Sequence, residues 1–201
     1  MPAPSKRHHE SQLKRLKEYV FRGTLTEEDR KRADYKYVYF DVPEQADMIH
    51  VSYDYPKTPT KKNVVDIGVF DSEGSFRGWS GSNRTSFFTS NFAATPGYLV
   101  GKICPGVWKI ILGLYAVSPD GCDYTVKIWV GGIRGTLQER KGVRSSAIQK
   151  PKKSGWFKGD LHVHTCHSDG AKSIDELVRE SEKMGLDFLA LTDHNTVSQR
   201  L

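Results

Sequence analysis

The sequence predicts an α+β protein, in which an antiparallel β-sandwich is followed by a βαβ unit. Short β-branched and aromatic runs separated by turn residues fill the first two thirds of the chain. Near the end, an alternating run, a helical pattern and an apolar run follow one another. The expected divisions are a helical leader at 1–34, a β-sandwich domain at 35–131, a basic linker at 132–155 and a truncated α/β domain at 156–201.

The leader contains "SQLKRLKEYV", which predicts a helix, and "LTEEDRKRAD", which predicts a charged turn with Thr26 and Asp29 as a capping pair. The sandwich strands are expected in "YKYVYFDV", "MIHVSYDY", "VVDIGVF", "TSFFTSNF", "GVWKIILGLYAV" and "YTVKIWV". Turns are expected at "DSEG" (71–74) and "SPDG" (118–121). Packing in the core is the expected role of Trp79, Trp108 and Trp129. The alternative is a platform of aromatic rings on which a carbohydrate stacks.

The net charge of +6 arises in the stretch from Gly131 to Asp160, which has eight basic and two acidic residues. Such a strip could attract phosphate-bearing substrates or even nucleic acid. The alternative, which we favour, is a solvated linker, because the stretch lacks the interleaved aromatic residues of single-strand binders.

The segment "GDLHVHTCHSDG" (159–170) alternates polar and apolar residues, which predicts a strand ending in a turn at Gly170. Asp160, His162 and His164 then share one face. Two adjacent imidazoles with a nearby carboxylate indicate a site for zinc, iron or a similar metal. The alternative is a surface strand with exposed polar residues.

"SIDELVRESEKMG" predicts a helix with a capping box from Ser173 to Glu176 and a stop at Gly185. "DFLALTDHN" then predicts a strand buried on both faces. In a right-handed parallel βαβ unit the carboxyl ends of both strands meet at one edge. His162, His164 and His194 should therefore converge.

These two stretches, "GDLHVHTCHSDG" and "FLALTDHN", resemble the first two motifs of the PHP (polymerase and histidinol phosphatase) metallohydrolases. The upstream residues "GWSGSNR" (78–84), "ATPGYLVGKICPGVWKIILGLY" (94–115) and "WFKGDLHVHT" (156–165) are similar to the CehA/McbA-like subgroup, which has an N-terminal β-domain. The resemblance extends from about Tyr37 to Val197.

The resemblance implies a distorted (βα)7 barrel with two or three divalent metal ions, zinc, manganese or iron, that hydrolyses phosphoesters. The residues that match metal ligands are His162, His164, Asp169 and His194. Asp160 and Asp193 are interpreted as carboxylates that orient the imidazoles from behind. His167 and Cys166 are expected to be bystanders, and no side chain is expected to act as a nucleophile.

We therefore expect a metal-dependent hydrolase of a small-molecule phosphoester, with only the first βαβ unit of an incomplete barrel and little activity alone. The alternative is a carbohydrate- or protein-binding β-sandwich module with a vestigial PHP fragment. No apolar run approaches ~18 residues, so no membrane span is expected. Three cysteines and an N-terminus without an apolar core predict a cytoplasmic protein, with nucleic acid an unlikely partner.

Overall fold

The computed structural model describes residues 13–57, 62–133 and 155–200. The strands and helices are, in chain order, β1 (Leu13–Leu25), α1 (Glu27–Arg32), β2 (Tyr35–Val42), β3 (Met48–Asp54), β4 (Val64–Phe70), β5 (Phe76–Ser80), β6 (Ser86–Ser90), β7 (Gly106–Ala116), β8 (Cys122–Ile133), β9 (Gly159–Val163), α2 (Ile174–Lys183) and β10 (Phe188–Leu191). A short 3-10 helix, Ser198–Arg200, follows β10.

The first eight strands form two four-stranded antiparallel sheets. One sheet has the order β1-β8-β3-β6 and the other β2-β7-β4-β5. Alternating apolar residues of both sheets are buried in a single cluster, because every second side chain of a strand points to the same face. The most voluminous fully buried side chain is Trp108, whose indole N–H donates to the Cys104 carbonyl at 2.7 Å. The region upstream of residue 134 is therefore β-rich, as the sequence predicts.

The predicted helical leader at 1–34 is wrong for residues 13–25, which form β1. This strand pairs antiparallel with β8 from Leu13↔Ile133 to Leu25↔Cys122. Tyr19 and Phe21 pack against the core and Leu25 is fully buried in it. Burial of these alternating side chains outweighs the weak helical preference of the segment. A boundary at residue 35 would consequently remove a strand from its sheet.

The predicted turn chemistry is confirmed at several positions. Thr26 and Asp29 form a capping box at the start of α1, so the segment expected as a charged turn is a short helix. Turn hydrogen bonds join Gly74 N to the Asp71 carbonyl at 3.1 Å and Gly121 N to that of Ser118 at 2.8 Å. The basic linker predicted at 132–155 lies outside the described residues except at its two ends.

The last described segment, residues 155–200, forms a strand, a helix and a strand, and β9 pairs parallel with β10. The capping box of α2 is the predicted one, with Ser173 and Glu176, and Gly185 has the positive φ of 66° that suits the end of a helix. The prediction that β10 is buried on both faces is wrong. Phe188 is exposed and the other three residues are half-buried, because β9 alone flanks this strand in the described sheet.

Three further observations complete the fold. Trp108 is in the core, whereas Trp79 and Trp129 are only partly buried. None of the three cysteines, all of which lie in the described residues, forms a disulfide bond. Within the described residues, no helix is long and apolar enough to cross a membrane.

Candidate metal centre

The parallel pair β9–β10 sets the positions of the three predicted imidazoles. His162 lies in β9 and His164 directly follows its last residue. His194 lies three residues beyond the end of β10. Because both strands run in the same direction, their carboxyl ends meet at one edge of the sheet.

The imidazole rings come together at that edge. Nε2 of His162 lies 3.0 Å from Nε2 of His164. The ring of His164 lies edge-on to that of His194, with 4.5 Å between the centroids. The predicted convergence of the three histidines is therefore present, and their binding of metal stays a prediction.

Asp169 contacts two of these imidazoles. Its Oδ1 lies 2.8 Å from Nδ1 of His164 and its Oδ2 lies 3.7 Å from Nε2 of His194. One potential ligand atom from each of these three residues lies within 4.8 Å of the others, so the group could hold a metal ion. Partial desolvation would raise the pKa of Asp169, but the hydrogen bonds with His164 and Ser168 outweigh it and lower the pKa. The carboxylate is therefore ionised at neutral pH.

Gly170 allows the turn that brings Asp169 back to the strand. A Cβ at this position would lie 2.2 Å from the carbonyl oxygen of His164, which is closer than any real Cβ contact. The amide of Gly170 donates to the Thr165 carbonyl at 3.0 Å and closes the turn. A glycine is required here by the close approach of the backbone.

Asp193 joins the two loops that carry the histidines. It accepts hydrogen bonds from the Thr165 amide at 2.7 Å, the Thr165 hydroxyl at 2.9 Å and the Ser168 hydroxyl at 2.6 Å. Desolvation would raise the pKa of Asp193, but the bonds from Ser168 and Thr165 dominate and lower it. Since Thr165 follows His164 and Asp193 precedes His194, this contact fixes one histidine relative to the other.

The expectation that Asp160 and Asp193 orient imidazoles from behind differs from what the structure shows. Among the described hydrogen bonds, Asp160 accepts from the backbone amide of His162 at 3.0 Å, and Asp193 contacts Thr165 and Ser168. Both carboxylates therefore accept hydrogen bonds from backbone amides or hydroxyl groups rather than from an imidazole ring. The carboxylate that orients an imidazole is Asp169, which was expected only as a ligand.

His167 and Cys166, which are expected to be bystanders, both form hydrogen bonds to the surrounding structure. Nδ1 of His167 lies 2.7 Å from the Ser198 hydroxyl. Burial lowers the pKa of His167, and Arg84 lowers it further against the opposing effect of Asp193. The carbonyl of Cys166 accepts from Arg84 Nη2 at 3.2 Å. Neither side chain belongs to the group of potential ligand atoms around Asp169.

Sequence reasoning missed the residues that connect the loops, namely Thr165, Ser168 and Ser198. Thr165 is fully buried and Ser198 is 5% exposed, although both are small polar residues. Their side chains bond atoms that are distant along the chain, and no local pattern in the sequence signals such partners. The adjacency of Thr165 and Ser168 to the histidine motif was the one available hint.

Two solved structures that resemble this chain have low similarity to it. A periplasmic inhibitor of g-type lysozyme from Aeromonas hydrophila, PliG, is 11% identical with a TM-score of 0.31, covering 56% of this chain and 85% of that one. The cyanophage Pam1 capsid asymmetric unit is 21% identical with a TM-score of 0.29, covering 65% of this chain and 91% of that one. These values support no inference about fold or function.

Comparison with sequence families is informative for the end of the chain. The model of the PHP domain matches residues 160–200. The DNA polymerase/3'-5' exonuclease PolX of Bacillus subtilis (strain 168) is 49% identical over 41 residues, which are 20% of this chain and 7% of that protein. The chain thus spans a small part of this relative's length. Residues 160–200 are therefore similar to a PHP domain, which points in general to the metal-dependent hydrolases and phosphoesterases.

Proposed function

We propose that this chain contributes to a metal-dependent hydrolase of the PHP class, with a small-molecule phosphoester as its substrate. The proposed metal ligands are His162, His164, Asp169 and His194. The PHP match over residues 160–200 supports the class. The grouping of one potential ligand atom each from His164, Asp169 and His194 supports the site. His162 is added to the proposed ligands because its Nε2 lies 3.0 Å from that of His164. Imidazole nitrogens and carboxylate oxygens form a donor set that fits zinc, manganese or iron.

The observation that carries the proposal is the short distance between the two Nε2 atoms. Asp169 is ionised, so it accepts the Nδ1 hydrogen of His164 and leaves a lone pair on Nε2 of that ring. Nε2 of His162 lies within hydrogen-bonding distance of this atom, at 3.0 Å. Two nitrogens bound at ~2.1 Å to one tetrahedral ion lie ~3.4 Å apart, close to the spacing seen here.

The residues have distinct chemical roles in this proposal. Bound divalent cations supply an activated water and stabilise charge on the phosphoryl oxygens. Asp169 fixes the tautomer of His164, and Asp193 holds the loop of His164 against that of His194. Hydrolysis by an activated water requires no nucleophilic side chain.

We further propose that the two antiparallel sheets face each other as a sandwich. Their shared core, with buried residues from both sheets, supports this arrangement. Residues 156–201 would be the first βαβ unit of a (βα)7 barrel that is incomplete in this chain, of which the described residues supply two strands. The similarity to the CehA/McbA-like subgroup and the cytoplasmic location belong to the same proposal.

Calorimetric titration of the full chain with Zn²⁺ or Mn²⁺ tests the site. Replacement of His162 and His194 together by alanine should weaken binding at least about tenfold, because two of four ligands are lost. His50→Gln, which changes a histidine of β3, is the matched control and should leave binding unchanged. Equal affinities for all three proteins would contradict the proposed site.

A turnover assay with p-nitrophenyl phosphate tests the expectation that the chain alone has little activity. Low rates with added manganese or zinc are expected, since only two of the family's metal motifs are present. Robust rates that vanish in His162→Ala would show that the described residues suffice for catalysis.

A further inference from the structure

We propose that Gly97 and Ser198 form a junction through which the β-rich region positions both loops of the metal centre. The inference rests on the proposed metal site and adds to it residues outside the two histidine motifs. Gly97 belongs to the loop between β6 and β7, and Ser198 begins the 3-10 helix after β10. Among the described hydrogen bonds, neither residue contacts His162, His164, Asp169 or His194, so both act as positioning residues.

The backbone of Gly97 contacts the segment after His194 in two places. Its amide donates to the Ser198 hydroxyl at 3.0 Å, and its carbonyl accepts from the Thr196 hydroxyl at 3.1 Å. The same carbonyl accepts from the Trp79 amide at 3.3 Å, which anchors the junction to β5. The segment that follows the second motif is thus bonded to the edge of a folded sheet.

Gly97 also lies against the first motif. Its φ is 96°, a conformation that favours glycine. A Cβ at this position would lie 2.7 Å from the carbonyl oxygen of His167, two residues before Asp169. Glycine therefore allows the first-motif loop to approach the β-rich region closely.

Ser198 connects the two loops to each other. Its hydroxyl contacts Nδ1 of His167 at 2.7 Å as well as the Gly97 amide. The side chain is buried, so its bonds are made away from water, where an unpaired partner is costly. One hydroxyl thus links the first-motif loop, the second-motif segment and the β-rich region.

A second contact supports the same coupling. Arg84, in the loop between β5 and β6, donates from Nη2 to the Cys166 carbonyl at 3.2 Å. Asn195 has a φ of 52°, so the chain turns sharply directly after His194 and leads Thr196 and Ser198 to Gly97. The β-rich region thereby contacts the chain on both sides of the ligand group.

The consequence is a loss of metal affinity when the junction is broken, without a loss of core stability. Outer hydrogen bonds that hold ligand-bearing loops typically change metal affinity by about 10- to 100-fold. Ser198→Ala should therefore weaken Zn²⁺ or Mn²⁺ binding to the full chain about tenfold. Gly97→Ala should weaken it further, since the new methyl group displaces the His167 carbonyl.

Two variants control this experiment. Ser198→Thr keeps the hydroxyl and should restore most of the affinity, which loss of packing alone would not explain. Thr24→Ala removes a hydroxyl that donates to Asp123 at 2.6 Å in the β-rich region, and should leave metal binding unchanged.

Hydrogen exchange of the metal-free chain tests the junction independently of metal binding. The amides of Cys166 and Ser168 bond the Lys172 and Thr165 carbonyls, and they should exchange about tenfold faster in Ser198→Ala. If the wild-type chain binds no metal but this acceleration is seen, the proposed function fails and the junction stands. Unchanged exchange in Ser198→Ala would overturn the junction, and so would a wild-type chain that binds metal with the same affinity as Ser198→Ala.

Discussion

The β-rich region and the segment 155–200 are ordered by different forces. In the β-rich region the buried side chains are mostly apolar and come from both sheets. In the described part of the segment only Thr165 and Ser198 are buried, and both are polar. Apolar burial is non-directional, whereas hydrogen bonds require each partner at a defined position. The comparison indicates that the histidines converge through directional bonds rather than through a core of their own.

The largest expected effect is on the stability of the β-rich region, which is held by its apolar core. Trp108→Ala should lower the free energy of unfolding of the β-rich region by ~3–5 kcal/mol, because it removes a fully buried ring and its N–H bond to Cys104. Chemical denaturation of the full chain measures the loss. Tyr115→Ala, at a side chain that is 75% exposed, should change the free energy by no more than ~0.5 kcal/mol. Similar losses in both variants would mean that the shared core is not the main source of stability.

The next largest effect is expected in segment 155–200, which is held by hydrogen bonds. Asp193→Asn should accelerate hydrogen exchange of the Thr165 amide at least about tenfold, because bonds to a charged acceptor are worth ~1.5–3 kcal/mol. The denaturation midpoint of the β-rich region should stay the same. Asp187→Asn is the matched control, since Asp187 accepts from the Lys158 amide at 2.7 Å away from both loops. Unfolding of the sheets by Asp193→Asn would break the distinction between the two regions.

The smallest effect concerns pH within the β-rich region. Burial lowers the pKa of His50, whose ring lies 5.1 Å from that of Trp129. The folded state therefore favours the neutral ring, and its contribution is complete above the ordinary pKa of ~6.5 and is lost as the pH falls below it. Between pH 7 and pH 5 the free energy of unfolding of the wild type should therefore fall more than that of His50→Gln. If the free energies of unfolding of the two proteins change in parallel with pH, protonation of His50 does not contribute to the pH dependence of stability.

The fold was predictable where side-chain alternation and burial agree. The strand pairs of the two sheets follow runs such as "YKYVYFDV", in which Val38, Phe40 and Val42 are buried. The first strand was not predictable, because Leu13, Leu16 and Val20 also have helical spacing. Its strand form depends on pairing with β8, which lies about a hundred residues further along the chain.

The candidate site was predictable in its histidines and not in what holds them. The order of strand, helix and strand was sufficient to place His162, His164 and His194 at one edge. The bonds of Asp193 to Thr165 and of Gly97 to Ser198 join loops that are distant in sequence. A single sequence has no periodic signal for such contacts, so the bonds of Asp160 and Asp193 to backbone amides and hydroxyl groups were not predicted.

The pairing of β1 with β8 also determines when the β-rich region can form. Residues 13–25 are synthesised well before their partner strand, which ends at Ile133. At a synthesis rate of ~5–20 residues per second, β1 waits several seconds or more for its partner on the ribosome. Its apolar residues, including Phe21 and Leu25, are unprotected during that interval. These apolar residues can be buried in the sheet only after residue 133 has left the exit tunnel.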